Sequence, residues 1–589
     1  VRQDVLLLGI MMVLAACGLI YEYLLSHYAG RILGMMEATI YGMIGLMIVA
    51  MGLGAWAAKW CKNPYTTFAW LEAAIAFLGC SSILVIAGAI AFTQKLPDLI
   101  AANYTLPPDV VLQGGPIEQL QTFSTYLPYV FGFVLGVLIG MEIPLIARVR
   151  EHVYGKHLEN NVGTIYGADY IGAGIGALVW IYFMLSMEIT KAAVWTALLN
   201  VIAGTIFLWR YWASIIKPGL LLMVHLLLFA MLIVIADSGA RWMTHLASVL
   251  YTDQVTYQTQ TRFQHITFTE RSYGSQGRAL DMYLNGRLQF SSLDEQIYHG
   301  MLVYPAMMSV ARAGRILVIG GGDGLAVRDI LRFSPETVHL IDLDAQLVSL
   351  FSSKYALPDE VHSQAPMLTG VNAETAFGAT SSVKVSALRE RLMALNEHAF
   401  EDPRVTVSFA DAFIEVDNLL ENQMRFDAVI IDLPDPSHPD LNRLYSDHFY
   451  GRLRRLLMGD GVIAVQSTSP FHAREAFISI GKTLEAAGFA HVEQYRQNIP
   501  SFGEWGWSIA TLNGAPASVR IARQPELSFS HPHVNKAVLL GAFAMPSSLY
   551  RDRSSIRVNH LGTGTVYQYH AQAWQSEVGI TMPSASGQP

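Results

Sequence analysis

The stretch ILVIGGGDGLAV, residues 316–327, decides how the chain is read. Ile316 to Ile319 are apolar and read as a strand. Gly320, Gly321, Gly322, Asp323 and Gly324 make a turn, and a helix starts at Leu325. Glycines allow a tight turn and let a ligand approach the backbone. Asp323 would repel a phosphate, so this is a poor pyrophosphate site. A carboxylate there suits a ligand with an adenosine and a cationic amine but no phosphate. Relatives of S-adenosylmethionine meet that description through their positive sulfonium and amine.

Downstream, the pattern repeats. The apolar runs RILVIG, TVHLIDLD, RVTVSFAD, FDAVIIDLP and GVIAVQS alternate with helical segments. This predicts a parallel sheet with crossover helices, a Rossmann-like α/β domain over 301–515 of the class I methyltransferase type. Asp342 ends the second run, 18 residues after Gly324, close to the spacing at which an acid accepts ribose hydroxyls. Asp411 ends the third and is read as an adenine ligand or as a helix N-cap. Asp432 lies at the end of the fourth and Asp435 just after it, three residues apart around Pro434. Both are expected at the carboxyl end of the sheet, where such folds bind ligands. Two acids there can hold a polyammonium chain, and one can take a proton from an attacking amine. Residues 355–400 read as an insertion that covers the site, and 516–589 as a C-terminal extension of mixed strand-like and helical pieces with a disordered end.

Composition divides the 589 residues. The first 240 hold only 13 acids and 11 bases, while the rest carry 34 and 28, a net charge near −6. A mildly acidic domain argues against nucleic acid, which needs a basic footprint. Cys17, Cys61 and Cys80 form no CxxC pair, so neither a disulfide framework nor a cysteine zinc site is expected. Residues 1–240 are expected to form a helical membrane domain of about seven spans, each near the ~20 residues needed to cross a bilayer. They fall at 5–26, 38–59, 66–92, 126–147, 163–186, 190–209 and 218–236, with a polar loop at 95–123. The first is too long, and too closely followed by others, for a cleaved signal peptide. Glu22, Glu72, Glu142 and Asp169 lie inside the spans, where ionisable groups are costly and point to function or to polar helix packing. Gly167, Gly172, Gly174 and Gly176 are expected to let helices approach closely. Residues 241–300 read as a small β region with a hairpin at Asn285-Gly286.

Several ordered segments together resemble the spermidine synthase family, the polyamine aminopropyltransferases, over roughly 255–515. They are RFQHITF, LNGRLQFSSLDEQIYHGMLVYPAM, GGGDG, DLPDPSHPDLNRLYSDHFY and IPSFGEW followed by GWSIA. The apolar half is similar to the membrane-bound branch of that family. The resemblance implies transfer of an aminopropyl group from decarboxylated S-adenosylmethionine to a diamine or polyamine, putrescine to spermidine in the first instance, with release of methylthioadenosine and no metal. It implies Asp432 as base, helped by Tyr298. It implies Gln264, Gln289, Gly320, Gly322, Asp323, Asp342 and Asp411 around the donor, and His299, Asp435 and Gln466 around the acceptor.

The chain departs from the family pattern at Asn285, Gly300, Asp342 and Ala412. It also carries Phe502 and Gly503 where the family has Tyr and Pro on the acceptor side, which opens the choice of acceptor. The expected setting is a multi-pass protein of the cell inner membrane with its catalytic domain in the cytoplasm. The expected partners are a polyamine, the lipid bilayer and a second copy in a homodimer. Lysine and arginine placement, with seven spans, instead puts the C-terminal domain outside. The location of a nucleoside donor outweighs that count. Two other readings remain at this point: a methyltransferase using intact S-adenosylmethionine, and a polyamine transporter or sensor without catalysis.

Overall fold

The computed structural model describes residues 2–33, 36–103, 115–154, 161–185, 187–249, 251, 253–272, 278–355 and 379–577. Two compact units divide between Arg262 and Phe263.

Among the described residues, the first unit contains seven helices long and apolar enough to cross a membrane. They are α1 (Arg2–Leu33), α2 (Met36–Ala57), α3 (Pro64–Asn103), α4 (Gly115–Tyr154), α5 (Asn161–Val179), α6 (Ile189–Arg210) and α7 (Pro218–Ser248). A helix pairs most of its backbone groups internally, which an apolar surrounding requires, although Pro97 in α3 and Pro128 and Pro144 in α4 supply no N–H. Helix α1 packs against α2, α4, α5 and α6. Its approach to α5 depends on two of the four expected glycines. A Cβ on Gly172 would fall 2.2 Å from the Met12 carbonyl oxygen, and one on Gly176 2.6 Å from that of Ala16, whereas Gly167 and Gly174 meet nothing within 4 Å.

The polar loop expected at 95–123 is largely helical. Helix α3 continues to Asn103 and α4 begins at Gly115, while 104–114 lie outside the described residues. The two extensions are tied by side chains. The Thr93 and Ser124 hydroxyls meet at 2.9 Å, and Gln121 Nε2 donates to the Thr93 carbonyl at 3.2 Å. A hydropathy reading cannot see such cross-links. Helix α7 likewise runs to Ser248, beyond the last purely apolar residues.

Strand β1 (Gln254–Gln260) precedes the second unit. That unit opens with an antiparallel meander of β2 (His265–Ser272), β3 (Arg278–Leu284) and β4 (Arg287–Ser291). Asn285 and Gly286 both have positive φ, the two-residue hairpin turn their sequence predicts. Helix α8 (Glu295–Ser309) follows. The main sheet then contains β5 (Arg315–Gly320), β6 (Thr337–Asp342), β7 (Val405–Phe409), β8 (Phe426–Asp432), β9 (Leu457–Gln466), β10 (His491–Ile499) and β11 (Gly503–Thr511), in the order β10-β11-β9-β8-β5-β6-β7. The five strands expected to be parallel are so, and β10 and β11 add an antiparallel edge. Side chains of β5 and β8 are buried on both faces, which their continuous apolar runs require. After β5 the chain builds outward to β6 and β7, then returns to place β8 on the other flank of β5. The crevice between the ends of β5 and β8 is therefore the topological switch point.

Of the expected insertion, 356–378 lie outside the described residues, and a helix spans Ala379–Leu395. The C-terminal extension contains the helices Ala517–Arg523, Lys536–Ala542 and Thr565–Glu577. Its expected strand-like pieces are absent among the described residues, and its end at 578–589 lies outside them.

Candidate active site

The glycine turn sits at the switch point. Gly320 has φ +78, and a Cβ there would lie 2.2 Å from the Asp432 carbonyl oxygen. Only glycine permits that backbone crossing. A Cβ on Gly322 would fall 2.7 Å from Asp342 Oδ2, so glycine there lets the turn pack directly against this carboxylate. Helix α9 (Leu325–Leu331) starts just after, with Asp323 Oδ1 accepting from the Leu325 amide at 2.9 Å. The peptide oxygen of Asp323 accepts from Asn396 Nδ2 at 2.9 Å, which ties the end of the inserted segment to the turn.

Asp432 is the last residue of β8 and lies in register with Gly320. Its Oδ1 accepts from the Tyr298 hydroxyl at 3.0 Å, and its Oδ2 is 3.8 Å from His299 Nε2. Ligating atoms of His299, Asp323 and Asp432 all lie within 4.8 Å of one another. Three groups of this kind can hold a cation, whether an ammonium or a metal ion.

Burial pushes the Asp432 carboxyl up to about 6, with the Asp323 charge adding and His299 and Tyr298 opposing. Burial raises Asp323 and lifts Asp342 to about 7. Burial works against the charge of His299, but Glu295, Asp323 and Asp432 together raise it to about 9. Tyr298 is pushed well above its ordinary range by burial and by Asp432, so it stays a donor. If Asp432 acts as a base, kcat/KM should rise with pH through about 6. A His299→Gln change removes the opposing positive charge and should move this limb upward, as a pH–rate profile of both proteins would read.

Behind these groups runs a buried ionic chain that sequence reasoning missed. Arg328 on α9 pairs with both oxygens of Glu295, at 2.8 and 3.0 Å, and Glu295 Oε2 lies 3.0 Å from His299 Nδ1. Arg328 also contacts Asp329 at 3.1 Å. His299, expected at the acceptor, is held between Glu295 and Asp432. Glu295 and His299 sit four residues apart on α8, and that spacing was the available signal.

The other expected residues divide. Gln264 Nε2 donates to Asp344 Oδ2 at 2.9 Å, and the Asp344 amide donates to Asp342 Oδ1 at 2.7 Å, so Gln264 and Asp342 share one end of the crevice. Gln289 Nε2 on β4 donates to carbonyls of its own strand, those of Leu288 and Arg287, at 3.3 and 3.5 Å. Asp411 caps the helix Ala412–Glu421 through the Phe413 amide and pairs with Arg443 at 2.7 Å, so its alternative role as an N-cap is realised. Asp435 Oδ1 accepts from Gln466 Nε2 at 2.8 Å. Its Oδ2 meets His570 Nε2 at 3.2 Å, a residue of the C-terminal extension that sequence reasoning did not single out. Although burial opposes it, His570, Gln466 and Arg287 hold the Asp435 carboxyl below its usual range. The Phe502 ring lies 6.2 Å from that of Tyr298. The preceding Ser501 is fixed by its amide and hydroxyl donating to Asp294 at 2.6 and 2.8 Å.

Residues 295–365 and 383–521 match the family described as the spermine/spermidine synthase domain. The polyamine aminopropyltransferase of Shewanella oneidensis is 51% identical over 581 residues, 98% of this chain and 96% of that protein. Polyamine aminopropyltransferase 1 of Streptomyces coelicolor is 32% identical over 582 residues, 97% of this chain and 94% of its own length. Among solved structures, the spermidine synthase of Thermotoga maritima is 20% identical, with a TM-score of 0.38, over 52% of this chain and 88% of that one. A spermidine synthase in complex with the transition state analogue AdoDATO is 21% identical, with a TM-score of 0.39, over 51% of this chain and 89% of that one. Half the residues are shared with the Shewanella protein along almost the full length of both chains, so this chain is an enzyme of the polyamine aminopropyltransferase family.

Proposed function

We propose that the site transfers an aminopropyl group from decarboxylated S-adenosylmethionine to the primary amine of a diamine, with putrescine the first candidate, and releases methylthioadenosine. The observation that carries this reading is the acidic pair Asp323 and Asp432 beside the glycine turn. Asp342, with Gln264 nearby, would take the ribose of the donor, and Asp323 its amine. Asp432 would accept a proton from the acceptor nitrogen as that nitrogen attacks the carbon next to sulfur. A carbon–nitrogen bond forms, the carbon–sulfur bond breaks, and its electron pair goes to sulfur, which loses its positive charge. The sulfonium is already activated, so the protein's part is positioning and proton removal.

Supplying the decarboxylated donor with a panel of diamines and analysing the products tests the reading. Spermidine from putrescine supports it. Tighter binding of intact S-adenosylmethionine, whose carboxylate would face Asp323, overturns it.

Asp435 would hold the distal ammonium of the acceptor, oriented by Gln466 and His570. His570→Ala should raise the acceptor KM about tenfold, the scale of one hydrogen bond to a charged group, with the donor KM unchanged in steady-state kinetics.

The first unit, in this reading, crosses the bilayer. Large apolar side chains such as Leu226, Leu227, Ile233, Tyr182, Phe183 and Trp209 are exposed on its helices, as lipid-facing groups would be. The catalytic unit then lies in the cytoplasm, where the donor is found. Its protection from added protease in intact cells, and cleavage after lysis, is the expected result.

A further inference from the structure

We propose that the helical unit holds a second binding site, separate from the catalytic one, for a protonated amine, built by Glu72, Asn200 and His225 with Tyr21 and Glu142 beside them. These residues come from five helices. Glu72 is on α3, Asn200 on α6, His225 on α7, Tyr21 on α1 and Glu142 on α4. All five are at most 2% exposed.

The hydrogen bonding of the group is incomplete in one direction. Asn200 Nδ2 donates to Glu72 Oε2 at 3.0 Å, leaving Asn200 Oδ1 and Glu72 Oε1 without a partner. His225 Nδ1 lies 2.9 Å from the Leu221 carbonyl oxygen. A carbonyl only accepts, so Nδ1 carries the hydrogen and Nε2 of the neutral ring is a bare acceptor. His225 Nε2 is also unpartnered, as is the Tyr21 hydroxyl. Gly204 of α6 lets His225 and Glu72 approach the same point of that helix. A Cβ there would lie 2.7 Å from His225 Nε2 and 3.1 Å from Glu72 Cβ. Glu142 lies within electrostatic reach of Glu72 and has no ion pair among the described residues.

Asn200 Oδ1 and His225 Nε2 can only accept, and Glu72 Oε1 only accepts when ionised. What completes them is therefore a donor, and a positive one is what lets the buried Glu72 and Glu142 carboxyls be ionised together. An ammonium group meets both demands with its three N–H donors. A metal ion fits less well. Among the described residues, the ligand spacing a metal needs occurs only at His299, Asp323 and Asp432. Acids at such depth in a helical bundle are a costly feature that function explains. That the amine is a polyamine rests on the reaction proposed above, whereas the amine site itself does not.

Equilibrium dialysis of radiolabelled spermidine against the full chain in lipid nanodiscs tests this. The expected result is two sites per chain. Glu72→Gln should weaken one of them on the order of ten- to a hundredfold, the scale of a lost charge-assisted bond, while aminopropyl transfer persists. Asp435→Asn should weaken the other alone. Should Glu72→Gln fail to fold, as loss of transfer would show, His225→Gln is read in its place with the same expectation. A single site that is lost in Asp435→Asn and unmoved by Glu72→Gln overturns the inference and leaves the proposed reaction standing. A Glu72-dependent site in a protein that makes no aminopropyl product overturns the reaction and leaves the inference standing. Labelled sodium that binds at the Glu72-dependent site and is not displaced by spermidine also overturns it.

Discussion

Asp432→Asn should lower kcat by about 10²- to 10⁴-fold, the range that a positioned general base contributes. The substitution keeps the shape of the side chain and its acceptor oxygen toward the Tyr298 hydroxyl. It removes the group able to take the acceptor's proton. Donor binding is assigned to Asp323, Asp342 and Gln264, so the donor Kd from calorimetry should stay within a few-fold of the wild type. Equal loss of donor affinity and turnover would mean that Asp432 is a donor ligand and that the base lies elsewhere. The residual rate should also lose the acid limb near pH 6, because the group responsible for it has gone.

Arg328→Met should cost about 3–5 kcal/mol, the penalty for leaving a buried charge without its partner. Glu295 is fully buried and is paired through both oxygens with this guanidinium, with His299 its other ionic neighbour. Methionine fills much of the space but supplies no donor. Glu295 would then be answered by His299 alone, and His299 would be drawn away from Asp432. The expected result is a lower melting temperature of the full chain together with reduced kcat. The double change Glu295→Gln with Arg328→Met should recover part of the melting temperature but not the rate. Full recovery of both would show that the ionic chain serves packing only.

The residues proposed to carry the chemistry stand at places the chain order announces. Asp323 lies inside a glycine turn, and Asp342 and Asp432 end strands whose apolar runs are easily counted. A parallel strand buried on both faces needs an unbroken apolar run, and its end is marked by the first polar residue. That is why the switch point and its acids are readable from one dimension. The side-chain partners of Gln289 and Asp411 were not, although the N-cap at Asp411 was among the readings. Whether a polar side chain turns to a ligand or to a neighbour depends on what the fold brings beside it, and Arg443 comes to Asp411 from 32 residues away.

The same physics separates what the sequence determined alone from what only the tertiary structure decided. Local patterning determined the two-part architecture, because apolar length and strand–helix alternation are set by backbone hydrogen bonding and burial over short distances. It also determined the hairpin at Asn285-Gly286, because few residue pairs tolerate left-handed backbone. The tertiary structure decided the pairing of charges. His570 reaches Asp435 across 135 residues, Arg328 reaches Glu295 across 33, and Asn200 reaches Glu72 across 128. A buried polar group must find a partner, but nothing in its immediate neighbours says which one.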